Sequence, residues 1–186
     1  VQRRSMIKVL DLFPLNSVVF PHQKMPLRIF ESRYLKLAAT CHKEGHSFGI
    51  CLIREGNEVG APAIPFKIGT SVTITEFKKV SDKFFYIVVQ GERRFRIERF
   101  IQEQPHIKVE IEWLDEEIPT FPGDYVLLRY QVSEMVTDNI TVPEDDNELF
   151  GLAGTLIADS LLEKQKILEL SNDKVIPCLI RVMETL

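Results

Sequence analysis

The chain has 186 residues, 45% of them apolar and 27% charged, the balance of a globular protein rather than a disordered or fibrous one. At this length about 70% of the unfolded surface can be buried, the longest apolar run, Phe84 to Val89, is far short of the roughly 20 residues of a membrane helix, and Cys41, Cys51 and Cys178 are too few and scattered for a disulfide framework; a cytoplasmic protein without membrane contact is expected. The net charge of -4 hides an asymmetry: residues 1–100 carry 17 Lys and Arg against 9 Asp and Glu, while residues 101–186 carry 6 against 18, which suits two attracting lobes or one basic face turned to an acidic partner.

Arg3-Arg4-Ser5-Met6-Ile7-Lys8 has the look of a twin-arginine export signal, but Asp11, Pro14 and Asn16 interrupt the apolar stretch such a signal needs. Export is not expected, and Met6 reads as the native start, with residues 1–5 foreign to it. Next come Val18, Val19, Phe20, Pro21, Met25 and Pro26, apolar residues set among prolines. Proline offers no amide hydrogen, so the segment suits a sheet edge or a ridge rather than a central strand.

A helix is predicted over 32–44, with Tyr34, Leu35, Ala38, Cys41 and His42 at helical spacing and Gly45 as a left-handed cap. Alternation then dominates, in Val72, Ile74 and Phe77, in Phe85, Ile87 and Val89, in Phe95, Ile97 and Arg99, and in Ile107, Val109, Ile111 and Trp113. With polar breaks at Ser81-Asp82-Lys83 and Gln90-Gly91-Glu92, these read as four strands of an antiparallel meander, curved into a small sheet or partial barrel.

The pattern changes near Pro119 to Pro122. Beyond it apolar residues recur at three and four, as in Tyr125, Leu128, Val132, Met135 and in Leu149, Leu152, Ala153, Leu156, with Asp124, Asn147, Ser160 and Asn172 near the expected helix starts. Pro177, inside the last helix, predicts a kink or a late start. The organisation expected is α+β: a β-rich lobe over 1–118 with one inserted helix, then a helical lobe over 119–186.

Chemistry-bearing clusters are sparse. Cys41, His42 and His46 approach a zinc-binding spacing, but Gly45 should end the helix before His46, so no metal site is expected. Ser5-x-x-Lys8 and Ser171-x-x-Lys174 match a serine–lysine spacing too common to signify catalysis, and no phosphate-binding glycine loop occurs. No catalytic residue, cofactor or metal ligand is assigned. Residues 93–99 hold the densest basic run, with arginines divided between two strand faces, which favours internal pairing over a nucleic-acid groove; one of them is expected to meet Glu31. Glu31 is read as a helix-start carboxylate that locks a strand-to-helix corner.

Leu12-Phe13-Pro14-Leu15-Asn16-Ser17-Val18-Val19-Phe20-Pro21 and Met25-Pro26-Leu27-Arg28-Ile29-Phe30-Glu31-Ser32-Arg33-Tyr34-Leu35 closely resemble the opening of the Lon protease amino-terminal, substrate-binding domain. Phe48 to Arg54, Ile68-Gly69-Thr70 and Val89-Gln90-Gly91-Glu92-Arg93-Arg94-Phe95 follow in that family's order and spacing. The tail from Leu149 to Leu170 resembles stand-alone bacterial members without ATPase or peptidase. The resemblance implies a PUA-like barrel followed by a helical bundle, with Glu31, Arg33, Tyr34, Gly69, Gly91, Arg94 and Phe95 as its structural motif. Two departures stand out: His22 replaces the usual Gly after Phe-Pro, an argument against a tight turn there, and Phe150 lies near a common Trp, implying a smaller aromatic contact.

The function implied is non-catalytic binding of unfolded or apolar polypeptide segments, as an adaptor or proteostasis accessory acting with a separate protease or ATPase. Val18, Phe20, Pro21, Met25 and Pro26 are the expected peptide contacts, by strand addition or by insertion into a groove. An RNA-binding PUA-like module is the alternative, suggested by the basic first half.

Overall fold

The computed structural model describes residues 8–61, 63–114, 122–157 and 160–186. The strands are β1 (Lys8–Leu15), β2 (Lys24–Ile29), β3 (Phe48–Glu55), β4 (Ile64–Pro65), β5 (Ile68–Ser81), β6 (Phe84–Gln102) and β7 (Ile107–Trp113). Helix α1 (Ser32–Glu44) lies between β2 and β3, and α2 (Pro122–Met135), α3 (Asp146–Leu156), α4 (Leu161–Leu168) and α5 (Asn172–Glu184) follow the sheet. The expected remnant at residues 1–5, with its arginine pair and Ser5, and boundary residues 119–121 lie outside the described residues.

The strands run in the order β1-β7-β6-β5-β3, and β1 also pairs in parallel with β3, which closes a small barrel. The antiparallel meander is β5-β6-β7, three strands instead of the four expected, because Gln90-Gly91-Glu92 does not reverse the chain. It lies within β6, whose 19 residues span two neighbourhoods. The second half of β6 belongs to the barrel, while Phe84 to Gln90 form a three-stranded wing between β2 and the end of β5.

Three apolar clusters hold this arrangement. Leu10, Leu12, Cys51, Phe95, Ile97, Val109 and Ile111 fill the barrel. Phe95 is accommodated by two residues without side chains: a Cβ on Gly49 would stand 2.7 Å from its ring, and one on Gly69 would stand 3.0 Å away. The inner face of the wing, with Ile29, Phe85, Ile87 and Val89, packs with Tyr34, Leu37, Ala38 and Cys41 of α1. The third cluster joins Val18, Phe20 and Leu52 to Leu128, Leu149, Phe150, Leu179 and other residues of the last four helices, so helices and sheet share one core.

Helix α1 ends at Gly45 with φ 66°, as its sequence predicts. Glu31 is the N-terminal cap residue by backbone geometry, but its carboxylate caps no amide. It accepts instead from Arg33 Nε at 3.0 Å, and the Arg33 guanidinium lies over the Tyr34 ring, itself stacked on Phe13 at 3.9 Å. The partner of Glu31 is thus two residues away, whereas the arginines of 93–99 have other engagements. Asp145 and Ser160 cap α3 and α4 by accepting from Glu148 N and Glu163 N; Asn147 lies inside α3. The last helix starts at Asn172, with Ser171 in the N-cap position but its hydroxyl capping no amide, and runs through Pro177 without a late start.

Candidate functional site

The segment singled out for peptide contact divides in two. Val18, Phe20 and Pro21 are buried, and Phe20 meets Phe150 edge to face at 6.4 Å beneath the helices. They are core residues, a correction to the expected contact surface: helices that the local pattern of 18–21 cannot reveal cover them. Met25 and Pro26 sit on β2, half-buried and exposed respectively.

The bend between these halves is a tight turn, contrary to the reading of His22. Gln23 N donates to Phe20 O at 3.1 Å, and Phe20 N donates to the Gln23 side chain at 2.9 Å. Pro21 followed by His22 at φ 65° is the type II pattern; histidine is among the residues that adopt the left-handed region more often than most. His22 N then donates to Gly91 O at 2.8 Å, and Gly91 N to Gln23 O at 2.9 Å. A Cβ on Gly91 would strike the Phe20 carbonyl, and one on Gly151 the His22 carbonyl.

These bonds fix which way β2 faces. Gly91 N to Gln23 O makes Gln23/Gly91 a hydrogen-bonded pair, and the register continues through Met25/Val89, Leu27/Ile87 and Ile29/Phe85. Because bonded and non-bonded pairs alternate in an antiparallel ladder, Lys24, Pro26 and Arg28 turn their backbone groups away from β6. Among the described residues β2 pairs with β6 alone, so those groups face a free edge. The proline is tolerated because the amide it lacks points out of the sheet.

That edge opens on a groove of about 370 Å³ lined by Leu15, Ser17, Pro26, Leu27, Arg28, Glu58 and Tyr86. Beyond it, exposed Phe30 and Val59 border a smaller hollow against Tyr34 and Glu31. Of the groove residues only Pro26 was marked by its sequence. Arg28, Glu58 and Tyr86 are distant in the chain and carry no shared motif; the alternation Lys24-Met25-Pro26-Leu27-Arg28 was the available signal.

The basic run of β6 is committed internally. Arg94 is buried, donating to the carbonyls of Leu168 at 2.7 Å and Leu170 at 2.6 Å and to the Asn172 side chain. Arg99 pairs with Glu110 at 2.6 Å, Arg96 lies 3.8 Å from Glu112, and Arg93 stacks over Trp113. The Cys41, His42, His46 cluster is dispersed: Cys41 is buried, His42 stacks on Phe77 at 4.3 Å, and His46 Nδ1 lies 3.1 Å from Glu44. No group of three or more His, Cys, Asp or Glu side chains that could hold a metal occurs among the described residues, nor is any helix there long and apolar enough to cross a membrane.

The fold of barrel, wing and helices matches that of solved Lon amino-terminal domains. The Lon N-terminal domain protein of Xanthomonas campestris superposes with a TM-score of 0.73 at 27% identity, over 94% of this chain and 98% of that one. The N-terminal domain of the Mycobacterium avium complex Lon protease shares the fold with a TM-score of 0.67 at 15% identity, over 95% and 98% of the two chains. The chain belongs to the ATP-dependent protease La (LON) substrate-binding domain family, whose model matches residues 9–177. The Lon protease of Syntrophus aciditrophicus is 24% identical over 87% of this chain, and that of Cytophaga hutchinsonii 26% identical over 88%. The chain spans 23% and 22% of those two proteins.

Proposed function

We propose that this chain recognises extended polypeptide segments and holds them without covalent chemistry by adding them as a strand to the free edge of β2. The single observation behind this reading is the outward row of backbone groups on Lys24, Pro26 and Arg28, beside a groove with apolar walls at Leu15 and Leu27. Main-chain bonds supply affinity that does not depend on sequence, and the groove accepts side chains. Family membership supports a role in substrate recognition, and the helices act as a brace for the barrel. The chain works as a recognition unit for an ATP-driven protease, carried on the same polypeptide or on a separate one.

Fluorescence anisotropy with labelled apolar peptides tests this. Arg28→Pro removes an outward amide while leaving the bonds to β6 in place, so it should weaken binding several-fold beyond Arg28→Ala with little change in melting temperature. Equal binding by the two variants, or no binding to a broad peptide array at high protein concentration, refutes strand addition.

A further inference from the structure

The wing has two unlike faces, and its register places their side chains. Met25, Leu27 and Ile29 point toward α1 with Phe85, Ile87 and Val89, whereas Lys24, Pro26 and Arg28 share the outer face with Tyr86, Val88 and Gln90. Arg28 is paired with Tyr86, and Tyr86 in turn with Lys78 of β5, so one row across the wing reads Arg28, Tyr86, Lys78. None of Lys24, Arg28 and Lys78 makes an ion pair among the described residues. Nearby cations do: Lys79 pairs with Asp82, Arg96 with Glu112 and Arg99 with Glu110.

Four carboxylates share the neighbourhood: Glu31 lines the hollow with Arg28 but pairs with Arg33, and Glu148 lines a pocket with Lys24 without an ion pair to it. Glu58 lines the groove, where its Oε1 accepts the Asn16 amide. Glu76 sits behind Val88, two strands from the edge, about 10 Å away at normal strand spacing. The edge itself therefore presents two cations without ion pairs, four residues apart with Pro26 between them, on one face.

We propose that the strand this edge accepts carries carboxylates at alternate positions, on the face of Lys24 and Arg28, and apolar side chains between them, beside Met25 and Leu27. The inference rests on the edge reading above and names its substrate class: acidic–apolar alternating polypeptide. A residue directly opposite Arg28 in an added strand lies on the same face, with Cβ atoms about 5 Å apart, and the next residue falls on the apolar side. Opposite charges so placed attract, and like charges repel.

Four nine-residue labelled peptides separate the outcomes: alternating Leu/Asp, alternating Leu/Lys, alternating Leu/Ser, and a block peptide with the composition of the first. On the full chain, Leu/Asp should bind about tenfold more tightly than Leu/Lys, ahead of the block peptide, with the margin shrinking as salt is raised. The double variant Lys24→Glu, Arg28→Glu, at exposed positions, should reverse the preference. Equal binding of Leu/Asp and Leu/Lys while Leu/Ser still binds overturns the charge assignment and leaves strand addition standing; no binding by any of the four overturns both. Displacement of Leu/Asp by a lower concentration of oligouridylate makes the row a nucleic-acid surface and also overturns the assignment.

Discussion

The guanidinium of Arg94 and the side-chain oxygen of Asn172 are hydrogen-bonded across 78 positions of sequence, joining the middle of β6 to the first turn of α5. The same guanidinium donates to the carbonyls of Leu168 and Leu170, so one buried cation satisfies carbonyls left over where α4 ends. Lysine cannot reproduce that planar fork. Arg94→Lys should lower unfolding free energy by about 2 kcal/mol and Arg94→Ala by about 4 kcal/mol, since buried carbonyls lose their donors. Urea unfolding checks this; a change under about 0.5 kcal/mol for the alanine variant would contradict it.

The turn at Phe20 to Gln23 is pressed from both sides by glycines. Gly91→Ala and Gly151→Ala should each destabilise by about 3 kcal/mol, because the obstacles are backbone carbonyls that cannot swing aside. His22→Gly should leave stability within about 0.5 kcal/mol of the parent, relief of strain offsetting the greater freedom of the unfolded chain. His22→Val, β-branched at positive φ, should lose about 2 kcal/mol. Melting curves of the four variants give the order.

Two partly buried groups make stability fall on acidification. Burial pushes the His22 imidazole below its ordinary value, partly opposed by the charge of Asp145. Its contribution is complete above about pH 6.5 and is lost as pH falls through its lowered folded value. Asp11 is held below the usual carboxylate range, first by the hydrogen bond with His106 at 2.8 Å, against desolvation, and then by the charges of His106 and Lys108. Its share is complete above about pH 4 and is lost below that. Urea midpoints against pH should lose the upper step in His22→Asn and show a smaller lower step in Asp11→Asn, the exposed carboxylates Asp82 and Glu110 keeping the rest.

Thiol chemistry offers a check on packing. Burial pushes the Cys41 thiol up to about 11, and that of Cys51, inside the barrel, higher still. Cys178 is only half-buried. A disulfide reagent at neutral pH should therefore titrate Cys178 first in the native protein and reach Cys41 and Cys51 only after urea is added; prompt reaction of all three would refute the packing described.

The helix at 32–44, the meander and the switch to helical periodicity were legible because each rests on local spacing of apolar residues. The burial of Phe20 was not, since it depends on Phe150 and Gly154 of α3, more than a hundred residues away. The outward aim of Pro26 follows from one hydrogen bond at Gly91, which no periodicity encodes. Arg94 stood in the structural motif that the resemblance implies, but its partners could not be read from the run: it faces the helices while neighbouring Phe95 faces the barrel, because both sides of β6 are covered at that point. The prolines among 18–26 pointed to a sheet edge, which describes β2 but not the buried 18–21; what lies beside β2, Glu58 and Tyr86, had to come from the fold.

Pro26 limits how firmly that edge can hold anything. A visiting chain meets an amide at Lys24 and another at Arg28, with only a carbonyl between them, so the ladder is interrupted at its midpoint. Copies of the protein are discouraged from stacking edge to edge into fibres, and a captured segment can detach one short piece at a time. Under the proposed strand addition, such a hand-hold favours quick exchange of the bound segment.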